Sequence, residues 1–148
     1  MVNFLIYINS YFIKYPVNYS RDWQYGNKQV VQYLKVNQDK YDLVVFTRHY
    51  GEPHIFTLFY LGYDPAKFQN SSNLERFETF DWVRVLRFDK YYFPDLGDEW
   101  TGYVDIVRVN PDKKILFIGK PGDFPEDAKV LERINFLNND PVFEIVEK

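Results

Sequence analysis

The chain has 148 residues, enough for one domain with a sizeable core, and its 46% hydrophobic and 20% aromatic content lies far from that of a disordered polypeptide. Eighteen Lys and Arg against 21 Asp and Glu leave a net charge of −3 with no basic run to neutralise phosphates, which argues against nucleic acid as a partner. The absence of cysteine excludes disulfides, thiol catalysis and thiolate metal sites but leaves the compartment open.

Along the chain, no stretch reaches the ~20 apolar residues needed to cross a bilayer. Phe4, Leu5, Ile8, Tyr11 and Phe12 fall at helical spacing and predict an aromatic-rich helix at the start. That helix reads either as a first core helix or as the stub of a segment that ran along or out of a membrane surface. Ser20 is a candidate N-cap for a helix over 21–36, with Trp23, Val30, Val31 and Leu34 on its buried side and Gln24, Lys28, Gln32 and Lys35 facing out. Gly26 lies one turn before Val30, so a neighbouring element is expected to approach closely there.

Residues 43–47 form a short continuous apolar run, the pattern of a central strand covered on both faces. Pro53 is placed to open a helix through Leu61, apolar nearly all round and therefore expected to be buried; a strand is the alternative. Asp64-Pro65 predicts a second cap and a short helix to Gln69, and 70–73 reads as a loop. Strands are predicted at 83–88, 106–109, 115–118, 129–136 and 142–146, the last two joined by a hairpin connection over 137–141. The expected fold is α/β: a mixed sheet with helices packed against it, helix and strand alternating in the N-terminal half and mostly antiparallel strands in the C-terminal half.

Glycine-rich nucleotide loops, G-x-S-x-G and H-E-x-x-H are missing from the sequence. The 119–122 segment Gly-Lys-Pro-Gly is read as a turn, since Pro121 removes a backbone donor that a phosphate loop needs. His49 and His54 with Glu52 do not make a helical ligand pair and lack a further defined ligand, so neither a metal nor a cofactor is expected. Arg48, His49, Tyr50, Glu52 and His54 follow the carboxyl end of the expected central strand, where open α/β sheets bind ligands, and form the candidate ligand-binding group. The plainer alternative is a polar connecting loop with a capping Glu52. Trp23, Tyr25 and Trp100 are candidates for stacking on a sugar, as is the run Tyr91-Tyr92-Phe93, although core packing is the default for any aromatic in such a chain. Asn18-Tyr19-Ser20 and Asn70-Ser71-Ser72 match the N-glycosylation acceptor pattern.

Residues 11–26, reading Tyr-Phe-Ile-Lys-Tyr-Pro-Val-Asn-Tyr-Ser-Arg-Asp-Trp-Gln-Tyr-Gly, carry a further signal. They resemble the YF-x-x-YP-x-x-YS-x-x-WQYG stretch after the last membrane span of prokaryotic dolichyl-phosphate-mannose-protein mannosyltransferase-like proteins. The similarity continues through 41–47, 50–56 and 59–69, more loosely through 88–93 and 118–121, and covers about half of the chain. Such proteins are multispan glycosyltransferases, related to the aminoarabinose transferases, that use a polyprenyl-phosphate sugar as donor.

The resemblance implies a soluble C-terminal domain on the extracytoplasmic face of a prokaryotic membrane, with 1–15 as its membrane-proximal helical segment. Its expected partners are the membrane-embedded catalytic domain of the same parent chain and a glycan or protein acceptor. The family's catalytic acid is expected in an early loop between membrane helices; no position here corresponds to it, and no catalytic residue is carried over. The expected role is a non-catalytic accessory domain. The alternatives are a freestanding small α/β enzyme or ligand-binding protein using the Arg48 to His54 loop, and a carbohydrate-binding module.

Overall fold

The computed structural model describes residues 2–78, 80–97 and 101–148, residue 101 by its backbone alone. In chain order the elements are α1 (Val2–Asn9), a wide π turn (Ser10–Lys14), α2 (Tyr15–Asn18), α3 (Asn27–Asn37), β1 (Leu43–Phe46), α4 (Pro53–Leu61) and α5 (Pro65–Gln69). They continue with β2 (Glu75–Glu78), β3 (Val83–Phe88), β4 (Tyr91–Tyr92), α6 (Thr101–Val109), β5 (Ile115–Gly119), β6 (Lys129–Asn135) and β7 (Pro141–Glu147). The strands form one seven-stranded mixed sheet in the order β2-β3-β4-β1-β5-β7-β6.

Three central strands run parallel: β1 pairs with β4 through Val44 and Tyr91, and with β5 through Val44 and Leu116. The antiparallel β3 and β2 extend one side of this trio, and the antiparallel β7 and β6 extend the other. Because side chains alternate along a strand, β1 divides its residues between two cores. Val44 and Phe46 join Leu116 and Ile118 under α3, where Val30 and Leu34 are buried, with Leu58, Leu61 and Phe68 of α4 and α5 packed alongside. Leu43 and Val45 join Ile115 and Phe117 on the opposite face, covered by Ile106 and Tyr103 of α6 together with Leu96 and Phe124. The fold is thus α/β, with helices on both faces of a mixed sheet.

Several expectations need correction. The helix predicted over 21–36 begins only at Asn27. Ser20 does not cap it; its hydroxyl donates to the Val17 carbonyl at 3.1 Å, and Trp23 is 71% exposed rather than buried. The cause is the turn that precedes the helix, where Gln24 and Gly26 adopt φ of 53° and 106°. The close approach at Gly26 is present: a Cβ there would lie 2.9 Å from Val142 Cγ1 and 3.2 Å from the Phe143 ring.

The strand expected at 106–109 is the end of α6. Tyr103, Ile106 and Val107 share a helical face at i, i+3 and i+4 against the second core, with the Tyr103 ring 4.7 Å from that of Phe117. The helix from Pro53 to Leu61 forms as predicted but is not buried, since Ile55 is 54% and Phe59 75% exposed. Strands β2 and β4 were not foreseen. The α5 cap is as expected, with Asp64 Oδ1 accepting from the Ala66 N–H at 2.8 Å.

The start of the chain is no core helix either, because α1, the π turn and α2 contain no buried residue. Pro16 lacks an N–H and would clash with the preceding turn; the wider π turn, in which Tyr15 N–H reaches back to the Ser10 carbonyl, absorbs it.

At the far end of the chain, Glu147 of β7 ties β6 to the segments that lead into β1 and β5. Its carboxylate accepts from Lys129 Nζ at 2.6 Å and from the Tyr41 hydroxyl at 2.7 Å, with Lys114 Nζ at 3.3 Å. The hydrogen bond from Lys129, then that from Tyr41, hold its pKa down to about 2. A carboxylate depressed below its ordinary ~4.3 stabilises the fold above that value and loses the contribution as pH falls through about 2. Glu147→Gln should therefore lower unfolding free energy at pH 7 by about 1–2 kcal/mol, with the gap to wild type closing toward pH 2 in urea titrations. A second expectation concerns Gly26→Ala, which should cost about 1–3 kcal/mol by the same assay through its positive φ and the collision with β7.

Candidate functional site

The carboxyl end of β1 is held between its two parallel neighbours. Thr47 N–H donates to the Ile118 carbonyl at 2.8 Å, and Arg48 N–H donates to the Pro94 carbonyl at 3.1 Å. His49 N–H then reaches Thr47 Oγ1 at 3.3 Å, and Gly51 N–H closes a turn on the Arg48 carbonyl at 3.0 Å. Of the five residues picked from sequence, Arg48, His49 and Tyr50 lie in this turn and Glu52 and His54 follow it, and the backbone sends them in different directions.

Tyr50 goes inward and packs edge-on against Phe143 and Phe136, with ring separations of 5.2 and 6.0 Å. Burial raises its pKa, and the charges of Arg21 and Lys120 pull it partly back. His49 is exposed, its ring edge-on to Tyr50 at 4.7 Å, and Arg48 is half-buried. Glu52 and His54 do come together. His54 Nδ1 faces Glu52 Oε2 at 3.3 Å, off hydrogen-bond geometry, and Arg84 Nε of β3 lies 3.3 Å from Glu52 Oε1. Arg84 also stands over the Trp82 ring at 5.1 Å. Sequence reading missed Arg84, because only the topology that places β3 beside β4 brings it to the start of α4.

His54 is the buried titratable group of the Glu52–His54–Arg84 cluster. Burial lowers its pKa and the Glu52 charge raises it partway back, so the ring is neutral at pH 7. It also lines a groove of about 680 Å³ between α4, α5 and the β2–β3 pair, walled by Leu58, Phe59, Phe68, Val83 and Val85, with Arg76 the one formally charged lining residue among those described. The neutral imidazole can donate or accept a hydrogen bond to something seated there. Among the described residues, no group of three or more His, Asp and Glu side chains is placed to hold a metal ion.

Trp23 and Tyr25 come together, whereas Tyr91 and Phe93 do not join them. Trp23 and Tyr25 line a shallow depression of about 170 Å³ with Phe56 and Tyr60 of α4. Tyr91 and Phe93 are buried in the first core, and Trp100 lies outside the described residues. The 119–122 turn is fastened by the buried Asp123, which accepts from Lys120 N–H at 2.8 Å and from Lys120 Nζ at 2.6 Å.

A second feature adjoins this edge of the sheet. From Val2 to Asn18 the only charged residue is Lys14, and Phe4, Leu5, Ile6, Phe12 and Ile13 are each about 60% exposed. Tyr7, Tyr11, Tyr15 and Tyr19 stack in sequence along this segment, with ring separations of 6.0, 6.2 and 4.6 Å. The turn that follows rests against the 48–52 loop, where a Cβ on Gly51 would lie 3.0 Å from Gln24 Nε2. The apolar helix is thus joined to the body on the edge that carries Tyr50 and Glu52. No helix among the described residues is long and apolar enough to cross a membrane. No family model, curated protein or solved structure matches the chain.

His54 should titrate below its ordinary ~6.5 in NMR spectra, and Glu52→Gln should move the midpoint lower still by removing the charge that raises it. Because the unfolded chain takes up this proton first, acidification through that window should also favour unfolding. A midpoint above the ordinary value, or a rise in the variant, would contradict the assigned environment.

Proposed function

We propose that this chain is a non-catalytic accessory domain of a polyprenyl-phosphate-sugar-dependent membrane glycosyltransferase, seated at the extracytoplasmic surface and packing on the membrane-embedded part or positioning its acceptor. One observation carries the reading: an apolar, tyrosine-laddered helical segment from Val2 to Asn18 with no buried residue. Leaving that many Phe, Leu, Ile and Tyr side chains in water is costly, at roughly 25 cal/mol per Å² of apolar surface, and a bilayer or a membrane helix removes the cost.

Composition agrees with a place at the membrane boundary. Tyrosines suit the boundary, where one edge of the ring is wet. The residues that resemble the mannosyltransferase-like proteins add to this, since 11–26 and 50–56 meet where Gln24 touches Gly51. In this reading they form the joint between the membrane segment and the sheet.

The full chain should float with vesicles of phosphatidylcholine and phosphatidylglycerol, and the paired substitution Ile6→Asp with Phe12→Asp should release it to the soluble fraction, both side chains being exposed. The chain should transfer no sugar from a polyprenyl-phosphate donor when no membrane part is present. Wild-type protein that stays soluble, or turnover by the chain alone, would defeat the proposal.

A further inference from the structure

We propose that the groove between α4–α5 and the β2–β3 pair is a binding site for a single-chain amphiphile with an anionic head group. The site stands apart from the membrane assignment, on residues that the Val2 to Asn18 segment does not include. At about 680 Å³ the groove falls within the roughly 300–1,000 Å³ of small-molecule sites. Its walls are mostly apolar, with Leu58, Phe59 and Phe68 on the helical side and Val83 and Val85 on the strand side. Phe59 and Val83 at the mouth are 75% and 51% exposed, and an alkyl or isoprenoid chain lying between them would take both out of water.

Charge complementarity selects the head group. Arg76 is the one formally charged residue in the lining, and it has no ion-pair partner among the described residues. Glu78, opposite Val83 on the same pair of strands, is outside the lining. The planar guanidinium fork matches the two oxygens of a carboxylate or a phosphate. His54 adds a single neutral hydrogen-bonding group; a neutral amphiphile would leave Arg76 unused, and a cationic one would oppose it. Carboxylate and phosphate heads share this chemistry.

The test is a fluorescence titration of the full 148-residue chain with dansylaminoundecanoic acid below its micelle concentration. Saturable one-site binding is expected, weakened at least tenfold in Arg76→Gln and abolished in Val83→Trp, which fills the mouth. The methyl ester of the probe should bind weakly and equally to wild type and Arg76→Gln. Laurate and dodecyl phosphate compete as alternative heads, and displacement by either supports the site while its strength names the preferred source. Displacement by neither overturns it. So does non-saturable partitioning, which an exposed apolar helix alone would give, or an affinity unchanged in Arg76→Gln, whose exposed side chain makes misfolding no explanation.

Discussion

The strand Leu43–Phe46 must be covered on both faces at once, and most of the architecture follows from that. Val44 and Val45 are wholly buried on opposite sides of the sheet, so each side needs its own helical layer. Parallel neighbours on both edges require long crossover connections, and those connections carry helices that join α3 in the covering. The path from β1 to β4 supplies α4 and α5 for one face. The path from β4 to β5 supplies α6 for the other.

The same constraint fixes where chemistry can collect. With β4 and β5 both parallel to β1, three carboxyl ends lie side by side, and the chain leaves β1 toward one edge of the sheet and β5 toward the other. The 48–54 loop springs from that switch point, the usual place for ligands in open α/β sheets. Here, however, the loop divides its side chains. Tyr50 closes the core over β7, whereas Glu52 and His54 turn toward β3 and the groove, so the concave surface lies off the crevice, on the flank of α4.

How much could be read from sequence depends on what each signal reports. The β1 and β5 strands were legible because continuous runs of Val, Ile, Leu and Phe leave few other placements for a short segment. The α6 helix was not, since Ile106, Val107 and Val109 favour strands by local preference, and only packing against Phe117 selects the helical face. Strand β4 has two residues and β2 is exposed throughout, so neither carries a hydrophobic pattern. The exposure of α4 and of the first helix was hidden for a different reason. An apolar pattern states that a surface must be covered, not whether this chain or another body covers it. At the candidate site Glu52 and His54 were legible by their place after β1; Arg84, brought in by strand order alone, was not.

The membrane-surface proposal makes one physical claim, that the exposed apolar helix Val2–Asn9 and the turn after it have their burial partner outside the folded body. The most direct test is the depth of residue 12. A nitroxide placed at Phe12 in the full chain, mixed with phosphatidylcholine and phosphatidylglycerol vesicles, should relax faster with oxygen than with a water-soluble nickel chelate, whereas a label at Asn138 in the exposed hairpin should show the reverse. Equal access of the chelate to both positions would mean that the helix stays in water, and the membrane-surface account would fail.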